Sequence, residues 1–90
     1  MASARFLKVR GIVQGVGFRY TTREIASRFD VRGYVRNQSD GRVLLVVEGA
    51  PQIVGRFVEA LEAEMERYIE GRQTTVSPAL NEFTTFEVRR

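Results

Sequence analysis

VRGYVRNQSDGRVLLVVEG, from Val31 to Gly49, is the most regular part of the chain. In its first seven residues Val31, Gly33 and Val35 face opposite to Arg32, Tyr34 and Arg36, and a period of two marks a strand with one buried face. QSDG, Gln38 to Gly41, then carries the Asp-Gly signal of a tight turn between antiparallel strands. RVLLVVEG, Arg42 to Gly49, follows as a strongly apolar strand. The stretch is a hairpin, and the flanking segments are placed around it.

On its N-terminal side Phe18, Thr22, Ile25, Ala26 and Phe29 recur at helical spacing, while Arg23, Glu24 and Arg28 fall off the stripe. This predicts a helix of about three turns, ended by Asp30. Arg5 to Val13 alternates again, with Leu7, Val9, Gly11 and Val13 on one side and Lys8 and Arg10 on the other, giving the first strand. On the C-terminal side Pro51 suits the first turn of a helix. Ile53, Val54, Phe57, Val58, Leu61, Met65 and Tyr68 mark that helix as long and amphipathic, stopping near Gly71. Glu59, Glu62, Glu64 and Glu66 form its wet face. Two more strands are expected around Gln73–Ser77 and Phe83–Arg89, separated by Pro78 and Asn81.

The order βαββαβ plus an additional edge strand predicts an α+β chain of the ferredoxin-like α/β sandwich type. In that arrangement an antiparallel sheet carries two helices on one face. Ninety residues with 43% apolar content fit a single domain spanning residues 1–90.

Composition removes several chemistries. The chain has no cysteine and no histidine, so thiolate metal sites, thiol nucleophiles and imidazole acid–base catalysis are excluded. No apolar segment approaches the about 20 residues of a membrane span, and a cytoplasmic protein without a membrane partner is expected. Nothing in the pattern calls for an oligomer, so a monomer is expected. Residues 1–45 hold nine Lys and Arg against three Asp and Glu, whereas residues 46–90 hold five against eight. The basic half favours an anionic partner, and a solvated arginine-rich surface accounts for the same asymmetry.

VQGVGFRY, Val13 to Tyr20, lies in that basic half at the junction of the first strand and first helix. Gly15 and Gly17 can adopt positive φ at little cost, so successive N–H groups can converge on one concavity. The same point is a helix N-terminus, where free N–H groups and the dipole favour an anion. Arg19 adds a guanidinium matched to two phosphate oxygens, at an end of the helix where a cation is otherwise unfavourable. The stretch is neither a P-loop, since no Gly-Lys-Ser/Thr follows, nor a dinucleotide fingerprint, since Tyr20 stands at the third glycine position. Taken alone, the glycines read as a tight strand-to-helix corner. Asn37, at the end of the second strand, can accept from and donate to a water molecule, and equally can simply start the turn.

GIVQGVGFRY, Gly11 to Tyr20, together with GYVRNQSDGRV, Gly33 to Val43, resembles the acylphosphatase family, with Asn37 following Arg19 at the family's interval of eighteen residues. The resemblance implies hydrolysis of small acyl phosphates to a carboxylate and inorganic phosphate, with no metal or other cofactor required. It implies a phosphate-binding loop made by Gln14, Gly15, Val16, Gly17, Phe18 and Arg19. Arg19 is then the phosphate-binding arginine, Asn37 the water-orienting asparagine, and Thr22 a support for Asn37. The family usually has a glycine-proline step and an apolar strand where this chain reads GRQTTVSPALNEF, while FEVRR is similar to its closing strand. An RNA-binding module is the rival of another class, because RGYV, Arg32 to Val35, begins like an RNA-recognition strand; Arg36 and Asn37 then replace its stacking residues. No nucleic-acid partner is therefore expected. A non-catalytic anion sensor is the third reading, against which the intact Arg19 and Asn37 stand.

Overall fold

A computed structural model describes residues 2–15 and 17–90. The elements are β1 (Ser3–Gly11), α1 (Phe18–Ala26), β2 (Val31–Asn37), β3 (Val43–Gly49), α2 (Pro51–Met65), β4 (Ile69–Pro78) and β5 (Phe86–Arg89), with a 3-10 turn (Glu66–Tyr68) between α2 and β4. They form one five-stranded sheet in the order β4-β1-β3-β2-β5. This is the expected α+β architecture with its additional edge strand. One feature of the expectation is corrected: the sheet is mixed, because β5 pairs parallel to β2 while the other pairings are antiparallel. Parallel pairing arises because β4 and β5 lie at opposite edges, so the chain crosses the sheet between Pro78 and Phe86 instead of turning back in a hairpin.

That crossing explains why β3 is apolar on both faces. In register, Leu7, Leu45 and Val35 stand side by side across β1, β3 and β2, and Val9, Val43 and Asn37 do so two residues on. These belong to the face under the helices, where Leu7, Val9, Val35, Val43, Leu45 and Val47 pack with Phe18, Ile25, Phe57 and Leu61. Burying each Phe or Leu contributes about 1.5–3 kcal/mol. On the opposite face Ala4, Val46 and Glu48 are also buried, beneath residues 79–85. Glu48 Oε2 accepts the N–H groups of Leu80 and Asn81 at 2.6 and 3.1 Å, and Arg32 Nε donates to Oε1 at 3.1 Å. Phe83 meets Tyr34 edge-on, with ring centroids 5.8 Å apart.

Element boundaries differ from expectation where tertiary contacts override periodicity. The apolar stripe of α2 continues to Tyr68, but the helix ends at Met65, and Gly71 lies inside β4. The reason is local: the Tyr68 carbonyl accepts the Ile12 N–H at 2.9 Å and lies 2.3 Å from where a Cβ on Gly11 would stand. The chain there is recruited as the edge partner of β1. Likewise α1 ends at Ala26, although Phe29 still packs edge-on against Phe57, and β1 ends at Gly11, although Val13 beyond it is buried. Among the described residues no helix is long and apolar enough to cross a membrane.

Candidate active site

At the end of the sheet where β1 stops, the chain enters α1 through two glycines in the left-handed region, Gly15 at φ 80° and Gly17 at φ 76°. A Cβ at either position would meet nothing within 4 Å, so it is the backbone conformation and not space that requires glycine here. Gly17 caps α1, and no side chain caps the helix and no acidic residue stands in its first turn. The first helical hydrogen bond runs from Thr21 N–H to the Gly17 carbonyl at 3.0 Å. Helix geometry leaves the N–H groups before it without intrahelical acceptors, at the positive end of the dipole. Phe18, buried in the core, pins this first turn in place.

Arg19 projects from that turn and is held from an unexpected direction. Its Nη1 donates to the Arg89 carbonyl at the end of β5, at 2.9 Å. One of five guanidinium donors is thereby fixed, and the rest are available to an anion. Asn37 ends β2 on the helix-covered face, opposite Val43. Its Oδ1 is buried and has no hydrogen-bond partner among the described residues. Such an atom is uncommon, since nearly all buried polar groups are paired.

Gly15, Gly17, Phe18, Arg19 and Asn37 line one pocket of about 220 Å³, together with Val13 and Tyr20. The sequence-designated residues from the two separate motifs thus converge on one cavity, and none of its lining residues is acidic. Val16 lies outside the described residues. The Gln14 side chain points elsewhere: its Nε2 donates to the carbonyls of Gln38 and Arg42 at 2.8 and 2.9 Å. This clamp ties the glycine loop to the β2–β3 turn and so fixes the loop relative to Asn37. Thr22 is buried one turn into α1, where its hydroxyl donates to the Phe18 carbonyl at 2.8 Å; among the described residues no hydrogen bond joins it to Asn37. Among the described residues no group of three His, Cys, Asp or Glu could hold a metal ion.

Sequence reasoning missed the Arg89 carbonyl and the Gln14 clamp. Both involve main-chain acceptors distant in sequence, 70 and at least 24 residues away, and a carbonyl leaves no trace in residue type. The arrangement as a whole is an uncapped helix start, two left-handed glycines, one guanidinium and one amide around a single pocket. It can bind a phosphoryl group and orient a small neutral molecule beside it.

Known proteins resemble the chain in sequence and in fold. An acylphosphatase from Salinibacter ruber is 43% identical over 84 residues, covering 92% of this chain and 88% of that protein. One from Ligilactobacillus salivarius is 41% identical over 69 residues, 77% of each chain. The crystal structure of acylphosphatase from Bacillus subtilis superimposes over the full length of both chains with a TM-score of 0.85 at 32% identity. The acylphosphatase family model matches residues 5–88. With nearly its whole length matched in sequence and in fold, the chain belongs to the acylphosphatase family.

Proposed function

We propose that the chain hydrolyses acyl phosphates by holding the phosphoryl group in the Gln14–Arg19 loop and aligning water with Asn37. Acyl phosphate hydrolysis follows from family membership; the division of labour among residues is the proposal. The observation that carries it is the convergence of Gly15, Gly17, Arg19 and Asn37 on one pocket free of acidic side chains.

In the proposed reaction the phosphoryl oxygens lie against the loop N–H groups and the α1 N-terminus, with Arg19 bridging two of them. Water held by the Asn37 amide attacks phosphorus. The new P–O bond forms as the bond to the acyl oxygen breaks, and the carboxylate leaves with the electron pair. The proton lost by water passes to a phosphate oxygen. The leaving acid has a pKa of about 4, like a side-chain carboxyl, so the departing oxygen needs no general acid. A chain without histidine is therefore chemically equipped for the step. In a loose transition state charge gathers on the equatorial oxygens, where fixed N–H donors and a guanidinium already point. The Arg89 carbonyl and the Gln14 clamp serve this preorganisation by removing freedom from Arg19 and the loop. One copy supplies every residue of the pocket, and a monomer in the cytoplasm acting on small acyl phosphates is the setting proposed.

Release of phosphate from acetyl or benzoyl phosphate, measured with a chelator present, tests the reading. Arg19→Ala is expected to lose both phosphate binding and turnover. An inactive wild-type protein that still binds phosphate would replace the enzyme by an anion sensor.

A further inference from the structure

The face of the sheet that carries no helix is covered over only part of its extent. Val46 and Glu48 are buried there beneath residues 79–85, whereas Leu44, on the same face, is the one residue of β3 that is not buried. Around Leu44 the register sets Gln73, Lys8, Leu44, Arg36 and Arg89 side by side across β4, β1, β3, β2 and β5. Strands spaced about 4.8 Å apart make that row about 19 Å long. Arg10 and Arg42, two residues from Lys8 and Leu44, stand in the next row on the same face, and a cavity of about 170 Å³ opens among Lys8, Arg10 and Arg42.

Gathering these cations is locally unfavourable. Arg36 lies directly opposite Arg89, Arg10 and Arg42 follow the β1–β3 register just beyond Val9 and Val43, and like charges facing one another across a sheet destabilise it. Nearby carboxylates answer only part of the charge. Glu70 and Asp40 stand 3.7 and 3.8 Å from Arg10 and Arg42, beyond hydrogen-bond distance, and neither Lys8 nor Arg36 pairs with a carboxylate among the described residues. Gly71 makes room for one member of the group. A Cβ there would stand 2.8–2.9 Å from Nε, Nη2 and Cζ of Arg10, so a glycine inside β4, unfavourable to a strand in itself, lets that guanidinium lie over the backbone at the edge of the cavity.

None of these residues lines the pocket of Arg19 and Asn37, so hydrolysis leaves this part of the basic N-terminal half without a use. The uncovered area offers cations in line for successive phosphates, with Leu44 and the half-buried Phe6 beside them as apolar surface for bases. Nucleic acid was set aside in the sequence because Arg36 stands where a stacking residue would be. On the folded sheet the same Arg36 joins the cationic row, and stacking is exchanged for a phosphate contact. A flat face can follow the backbone of an open strand, whose unpaired bases are free to turn onto it.

We infer that the uncovered sheet face binds single-stranded nucleic acid through its phosphates, at Lys8, Arg10, Arg36 and Arg42, without reading base sequence. This is a binding function separate from the hydrolase site, and it stands whether or not phosphate is released from benzoyl phosphate.

Fluorescence anisotropy of a labelled oligo(dT) of about 15 nucleotides, titrated with the purified chain, tests the assignment. A Kd of about 1–100 μM is expected at physiological salt, with log K falling against log salt at a slope of about −3, as four phosphate contacts on a single strand require. Lys8→Gln/Arg36→Gln is expected to weaken binding about tenfold and to halve that slope. Arg28→Gln/Arg56→Gln removes the same charge on the helix-bearing side and is expected to change binding by less than about twofold. Equal losses in the two double variants overturn the inference, because net charge alone then accounts for binding. Tighter binding to a duplex of the same length overturns the single-strand assignment, and binding to phosphatidylserine vesicles but not to oligo(dT) replaces nucleic acid by a membrane surface. Displacement of oligo(dT) by inorganic phosphate at constant ionic strength moves the strand to the Arg19 pocket and overturns the face assignment, leaving the hydrolase reading intact.

Discussion

Replacing Asn37 by alanine is expected to move activity and stability in opposite directions. The Asn37 Oδ1 is buried without a hydrogen-bond partner among the described residues, and a buried acceptor in that state costs about 1–3 kcal/mol. Alanine removes the atom together with its cost. It also forfeits the dispersion contacts of a small amide, each about 0.1–0.2 kcal/mol, so the expected net gain is about 1 kcal/mol. For a domain of 90 residues, that raises Tm by about 4–8 °C. Turnover goes the other way. Water no longer held in line is a loss of positioning, expected to lower kcat by at least about 100-fold. Phosphate binding is expected to stay within about twofold, since the nest and Arg19 are untouched. Thermal unfolding, phosphate-release kinetics and competitive inhibition by inorganic phosphate measure the three quantities on one preparation. A fall in Tm together with weakened phosphate inhibition would show that Asn37 is a structural brace of the β2–β3 turn. Retained kcat would remove it from the mechanism altogether.

Other substitutions probe the supports of the site. Gly17→Ala has space but places a Cβ on a backbone at φ 76°; it is expected to cost about 1–2 kcal/mol in urea unfolding and to weaken phosphate inhibition, with Gly17→Asn milder on both. Gly33→Ala is expected to be worse, by about 3 kcal/mol or more through combined strain and overpacking, because its Cβ would stand 1.9 Å from the Val46 carbonyl oxygen. Glu48→Leu leaves the N–H groups of Leu80 and Asn81 and the Arg32 guanidinium without their buried acceptor. A loss of about 3–5 kcal/mol is expected, with faster amide exchange at Leu80 and Asn81, whereas Glu48→Gln keeps an acceptor and is expected to lose less.

The parts of the fold legible in the sequence are those whose periodicity is set by their own packing. Strand β2 and the turn after it show because Val31, Gly33 and Val35 alternate around arginines and Asp40-Gly41 closes the hairpin. The helices show because each buries one stripe. Their ends were not legible, since what stops α2 at Met65 is a glycine, Gly11, lying more than fifty residues earlier and admitting the Tyr68 carbonyl. The direction of β5 was hidden for a similar reason: FEVR fits a parallel or an antiparallel edge equally well, and the crossing over β3 chooses. That crossing has one sequence trace, the glutamate in VLLVVEG. A lone carboxylate in a buried strand needs partners, and Glu48 finds them in the segment that reaches β5. In the site, Gly15, Gly17, Arg19 and Asn37 were legible as residue types suited to an anion and a water. Their meeting in one pocket follows from the fold.

A site made of main-chain donors and one guanidinium depends on rigidity, because dipoles stabilise a developing charge well only if they do not reorganise to meet it. That requirement gives a use to several departures from locally favourable structure that gather at this end of the sheet. Gly15 and Gly17 sit in left-handed conformation, α1 starts without a side-chain cap, and the Asn37 amide oxygen is buried with no partner among the described residues. Each is a local cost, and all of them lie between the end of β1 and the adjacent end of β2. The core under the helices shows no such exceptions among its buried side chains, apart from Thr22, whose hydroxyl is satisfied by its own helix. Local violations of this kind persist when a bound state repays them. In the proposed function that bound state is a phosphoryl group at the helix end and Arg19, with a water at Asn37.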